Sequence, residues 1–263
     1  MWNLIKAQNY QLKRDRAIKY MVCILFGSQV LVFLDYLRTH SFSDLTGGYT
    51  AFYLGDINFI MLGMLVTLLS ARIVGWDYTD KTINYELLAG HSRKSVYWCR
   101  VYVSLMWIIA GCTFFLFLPL LITGIINSWG YKVDMGNMLL RYVLTFFPLF
   151  RLFGECVLLT VLLKNCYMAM IIGWIMYEFG WVFIVMIEEL IEYEFTVELC
   201  AINIYRLVYL SYSRLQYING EDVLVYETVL EPGFIAGSIA VSLILGMAGL
   251  GIGYLYFKKS DIN

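Results

Sequence analysis

Arg141, Arg151, Glu155 and Glu178 fall inside long apolar runs, where an ionised side chain costs at least about 2.5–3.5 kcal/mol unless it is paired or wetted. Arg151 and Glu155 stand one helical turn apart, so each can neutralise the other on a single helix surface. Such a pair can line a polar path for a substrate, or serve structure alone while Arg151 snorkels toward water. Glu178 lacks a local partner and is expected to reach Arg141 or Arg151 across helices, or water. Catalytic chemistry is badly supplied. The two histidines, His40 and His91, sit outside the apolar runs and too far apart for a shared metal or a proton relay. The six cysteines, at 23, 99, 112, 156, 166 and 200, are scattered singly without a CxxC, which signals neither a zinc site nor a disulfide framework. No GxxxxGKS or GxxxxGKT run or other glycine-rich phosphate loop occurs. The residues thus name no catalytic group, no metal ligand set and no nucleotide site in this chain.

The chain that must hold those charges is 263 residues long, 60% hydrophobic and 15% charged, with more apolar surface than a soluble domain of that size can bury. It reads as an all-α integral membrane protein, a single transmembrane domain over 1–263 with three prolines and no Ser- or Gly-rich linker. Six apolar runs are expected to cross a bilayer, at about 17–37, 58–74, 101–126, 138–163, 167–187 and 233–257. The fourth contains Arg141, Pro148, Arg151 and Glu155 and is expected to be broken or kinked. Residues 1–16 set Trp2, Ile5, Tyr10 and Leu12 beside Lys6, Lys13, Arg14 and Arg16. That composition suits an amphipathic helix lying in the membrane interface, the alternative being an ordinary solvated helix. No small-residue cleavage site follows the first apolar run, so the first span is expected to stay as an anchor.

With six spans the termini share a side. Thirteen Lys and Arg residues fall on that side, against Arg38, Lys132, Arg206 and Arg214 on the other, which puts both termini in the cytoplasm. The net charge of -1 gives no pull toward nucleic acid. The outer segment 188–232 holds nine carboxylates and only Arg206 and Arg214. Within it Val197, Ala201, Ile204, Val208 and Leu215 recur at near-helical spacing, too short to span, so the segment is either a solvated loop with a surface helix or a set of short re-entrant helices. The sixth span carries Gly233, Gly237, Gly246, Gly249, Gly251 and Gly253, which permit close helix approach within the chain or between subunits.

The stretch 76–100, WDYTDKTINYELLAGHSRKSVYWCR, is the one long polar segment between two apolar runs on the basic side. Asp80 can cap a short helix with Ile83, Leu87 and Leu88 on one face, Gly90 can stop it, and Ser92 can open the next helix through Arg93, Lys94 and Arg100. So short a helix does not persist in water by propensity, and its apolar face needs something to dock against. The pattern Asp80-Lys81-Thr82-Ile83, Leu87-Leu88-Ala89-Gly90 and Ser92-Arg93-Lys94 with Tyr97 resembles the cytosolic coupling loop of type-2 ABC exporter permeases. The ending Tyr256-Phe257-Lys258-Lys259-Ser260-Asp261-Ile262 is similar to that family's exit from its last span, while Asp80-Lys81 stands where many members have Gly before the Thr.

The resemblance implies a permease subunit in the bacterial plasma membrane that works with a separate ABC ATPase subunit, which binds ATP and Mg, and with a second permease chain in a homo- or heterodimer. It implies export of a peptide or hydrophobic small molecule, such as an antimicrobial peptide, for secretion or self-immunity. Coupling to the ATPase would rest on Thr82, Ile83, Tyr85, Glu86, Leu87, Leu88, Gly90 and Arg93, with Glu86 and Arg93 at the polar rim of the partner's groove. It also implies short re-entrant helices between the fifth and sixth spans. Two rival readings are a non-transporting immunity or sensor protein that sequesters a toxin at its acidic outer segment, and an intramembrane enzyme, for which no span supplies a histidine.

Overall fold

A computed structural model describes residues 2–39, 42, 45–53, 55–79, 83–130, 134–191, 195–204, 207, 212–218, 221–226, 230 and 232–259. In chain order the elements are α1 (Trp2–Arg14), α2 (Arg16–Thr39), α3 (Gly47–Tyr53), α4 (Gly55–Thr79), α5 (Ile83–Leu88), α6 (Arg93–Asn127), α7 (Met135–Leu144) and α8 (Phe146–Leu163). Then follow α9 (Cys166–Ile191), α10 (Thr196–Ile202), β1 (Tyr212–Ile218), β2 (Glu221–Tyr226) and α11 (Pro232–Lys259). Among the described residues six segments are long and apolar enough to cross a membrane, provided by α2, α4, α6, the α7–α8 pair, α9 and α11. They are compatible with a multi-pass membrane protein.

Local chemistry sets the joints. Asp15 ends α1 and starts α2 by accepting the Ala17 N–H at 2.8 Å, in the manner of a helix cap. Ser92 caps α6, its side chain accepting the Ser95 N–H at 3.2 Å. Between α8 and α9 only two residues turn the chain. Lys164 takes a left-handed conformation (φ 52°), and Asn165 Oδ1 accepts the N–H groups of Tyr167 and Met168. Inside the fourth span regular helix is interrupted at Thr145, three residues before Pro148, whose missing N–H leaves the Leu144 carbonyl without its helical donor.

The most buried span is α4, two thirds enclosed, whereas α2 and α9 lie at the periphery with about a tenth of their spans enclosed. Small residues let its neighbours close in: a Cβ on Gly75 would lie 2.6 Å from the Thr160 methyl. The closest helix pair is α8 with α11. A Cβ on Gly249 would stand 2.7 Å from the Gly154 carbonyl oxygen, so Gly249 serves packing within the chain, whereas a Cβ on Gly233 or Gly251 would meet nothing within 4 Å. Three tyrosine hydroxyls then bridge elements. Tyr97 of α6 donates to Leu250 O of α11 at 2.7 Å, Tyr142 of α7 to Ala51 O of α3 at 2.6 Å, and Tyr177 of α9 to Phe59 O of α4 at 2.9 Å.

The segment 188–232 is expected to hold short re-entrant helices, or a loop with a surface helix. Its described residues include a seven-residue helix, α10, helical positions at Ile204 and Leu207, and an antiparallel hairpin in which Ile218 pairs with Glu221 and Leu215 with Leu224. Apart from this hairpin every described element is helical, in keeping with the all-α reading. Asn219-Gly220 between the strands is the strongest two-residue hairpin signal a sequence offers.

Candidate functional site

One end of the bundle gathers α1, α5, the beginning of α6 and the last turn of α11, and it is the most densely paired polar region outside the spans. Gln8 sits between Leu4 and Leu12 on the buried stripe of α1 and donates from Nε2 to Glu86 Oε1 at 3.1 Å. The other oxygen of Glu86 pairs with Arg100 Nη2 at 2.9 Å, where the Arg100 side chain is 3% exposed. Arg72 of α4 binds Asp15 at 2.9 Å and lies 3.2 Å over the Trp76 ring, and Trp107 Nε1 donates to Asn9 at 2.8 Å. Arg93 donates to the Lys258 carbonyl oxygen at 3.0 Å, tying the start of α6 to the end of α11. Tyr78 closes the floor, its ring edge-on to Phe257 and its hydroxyl buried with no hydrogen-bond partner among the described residues. Burial holds that phenol above its ordinary range, against the lowering pull of Arg100 and Arg93.

On this base α5 stands as a single held turn. Glu86 and Arg93, expected at the rim of a partner's groove, both have partners inside the chain: Glu86 fastens α5 to α1 and α6, and Arg93 ties α6 to α11. Leu87 packs against the core, whereas Leu88 is 82% exposed. Gly90 follows at φ 87°, its N–H bonded to Leu87 O at 3.0 Å, a conformation that a Cβ would strain. Asp80 and Thr82 lie outside the described residues, as do the side chains of Ile83 and Tyr85. Chemically the arrangement can present one large aliphatic side chain on a turn whose position is fixed by charge-assisted hydrogen bonds.

The charges inside the spans do something else. Arg151 Nη1 binds Glu155 at 2.9 Å, one turn along α8, and Nη2 reaches Ile202 O of α10 at 3.4 Å. Arg141 is fully buried; its Nε donates to Asn137 Oδ1 at 2.8 Å and its Nη1 reaches Leu207 O at 3.4 Å. Both arginines thus hold carbonyls of the outer segment down onto α7 and α8. For Glu178, expected to reach Arg141, Arg151 or water, Oε1 has no hydrogen-bond partner among the described residues.

An apolar cleft of about 190 Å³ opens between α2, α4 and α6, lined by Phe26, Gln29, Phe33, Asn58, Pro119 and Ile122. Its polar lining is Thr123 and an amide pair, Gln29 donating to Asn58 Oδ1 at 2.8 Å. No group of three or more His, Cys, Asp or Glu side chains that could hold a metal occurs among the described residues.

Comparison with family models, with curated proteins and with solved structures finds no match to this chain. Function is argued from the chemistry of the site.

Proposed function

We propose that this chain is the membrane-spanning permease subunit of an ATP-driven ABC exporter in the bacterial plasma membrane, with both termini and α5 in the cytoplasm. The observation that carries the reading is Leu88, 82% exposed on a six-residue helix whose Glu86 carboxylate is committed to the bundle. A short helix so fastened, with an aliphatic side chain aimed away from its own core, suits a fixed plug for a groove on a soluble partner. The resemblance of residues 80–97 to the coupling loop of type-2 ABC exporter permeases supports an ABC ATPase, which supplies ATP and Mg, as that partner, with a second permease chain completing the assembly. The apolar cleft between α2, α4 and α6, with a single amide pair, suits a substrate that is mainly hydrophobic, such as a small molecule or a peptide.

The test is Leu88→Ala in the complex reconstituted with its ATPase. Loss of about 2 kcal/mol at the interface, roughly a 30-fold weaker association, is expected together with loss of substrate-stimulated ATP hydrolysis. Unchanged assembly and stimulation overturn the reading. A protein that binds a toxin with high affinity and never co-purifies with an ATPase would instead be the non-transporting immunity protein.

A further inference from the structure

The outward face of α1 has a chemistry of its own. Leu4, Gln8 and Leu12 are buried against the bundle, and on the opposite side of the helix Trp2, Lys6, Tyr10 and Arg14 follow one another at single-turn spacing, all exposed. Ring and cation alternate along this row. Lys6 Nζ lies 5.7 Å from the Trp2 ring centroid, and the Arg14 guanidinium carbon lies 4.4 Å from that of Tyr10. Lys13 is exposed beside the row. Among the described residues Asp15 is paired with Arg72 and Glu86 with Arg100, so neither of these carboxylates neutralises the face. The row ends two residues before the first apolar span begins at Arg16, which sets it at the polar edge of the hydrocarbon.

Cations over aromatic rings at that depth are complementary to a phospholipid headgroup, whose phosphate meets the cation while the glycerol region lies along the ring. We propose that this face of α1 binds anionic phospholipid headgroups and that their binding steadies α5, because Gln8, on the far side of the turn bearing Lys6 and Tyr10, is the residue that hydrogen-bonds Glu86. The proposal goes beyond the permease reading, and its test needs no ATPase.

Phosphatidylglycerol and phosphatidylcholine are titrated in parallel into the full-length protein in neutral detergent, with bound lipid counted by native mass spectrometry. Each exposed basic residue near an anionic surface contributes roughly fivefold in affinity, so Lys6→Gln with Lys13→Gln and Arg14→Gln is expected to lose roughly 100-fold for phosphatidylglycerol. The matched pair Lys258→Gln with Lys259→Gln, exposed at the same end, is expected to keep the preference. Equal binding of the two lipids by the unaltered protein, or a triple variant that retains the preference, overturns the site. Hydrogen exchange in nanodiscs tests the link: phosphatidylglycerol is expected to slow exchange of the α5 amides severalfold. Gln8→Leu is expected to abolish that slowing while lipid preference persists. Slowing that survives Gln8→Leu overturns the steadying of α5.

Discussion

Removing the Glu86 carboxylate takes one partner from the Arg100 guanidinium, 3% exposed, and breaking a buried pair from one side typically costs more than the pair contributes. Because Glu86 itself is about a quarter exposed, Glu86→Ala is expected to cost about 2 kcal/mol, read as a lowered thermal midpoint of the purified protein, while Glu86→Leu with Arg100→Leu recovers most of the loss. A double variant no more stable than Glu86→Ala would refute the inward role of Glu86. Inside the span the Arg151–Glu155 exchange behaves differently from a simple charge swap. Arg151 also reaches the Ile202 carbonyl, and a carboxylate at 151 would face that oxygen, so the exchanged protein should regain only part of the expression lost in either single variant. Full recovery would show that the contact to Ile202 contributes nothing. The helical spacing of Arg151 and Glu155 was legible in the sequence, since one turn is a fixed distance. The carbonyl partners at 202 and 207 were not, because backbone acceptors carry no sequence signature. Gln8 left a usable trace: an amide at the centre of an apolar stripe needs a partner.

The contact between α8 and α11 turns on single methyl groups. Gly249→Ala would drive a Cβ against the Gly154 carbonyl at 2.7 Å, forcing two helices apart at about 1–3 kcal/mol, whereas Gly251→Ala, with nothing within 4 Å, is expected to be neutral or stabilising by a few tenths of a kcal/mol. Thermal midpoints of the two variants decide it, and equal destabilisation would mean that propensity rather than contact sets their cost. Spans were readable because twenty apolar residues leave few alternatives. Which glycines would touch was not, since six of them lie along one span and only the partner helix selects among them. The hairpin at 212–226 has a trace of its own in Asn219-Gly220, a turn signal with a mechanism, which the near-helical spacing of a few aliphatics does not reveal.

At the scale of the whole molecule, Gly47 and the start of α7 lie at one end and Glu86 at the other, with Gly47 N–H bonded to Ser128 O and Arg93 to Lys258 O. A cysteine placed near Gly47 or near Asp134, at an exposed position, is therefore expected to react with an impermeant thiol reagent from outside intact cells, and one near Glu86 only after the membrane is opened. The opposite pattern would invert the orientation and remove α5 from the cytoplasm. The length of α6 has a mechanical consequence. Thirty-five residues make a rod of about 52 Å, against about 30 Å of hydrocarbon. Its near end is fixed to α5 through Arg100 and Glu86, and its far end to the loop before α3 through Asn127, which donates to Leu45 O at 3.0 Å. Such a rod is a pushrod in one piece: tilting it by about 10° about its middle swings each end through roughly 4–5 Å. Movement imposed on α5 at one face therefore arrives at the opposite face without a relay, and Pro119, where the helical ladder lacks one bond, is the point at which the rod can give.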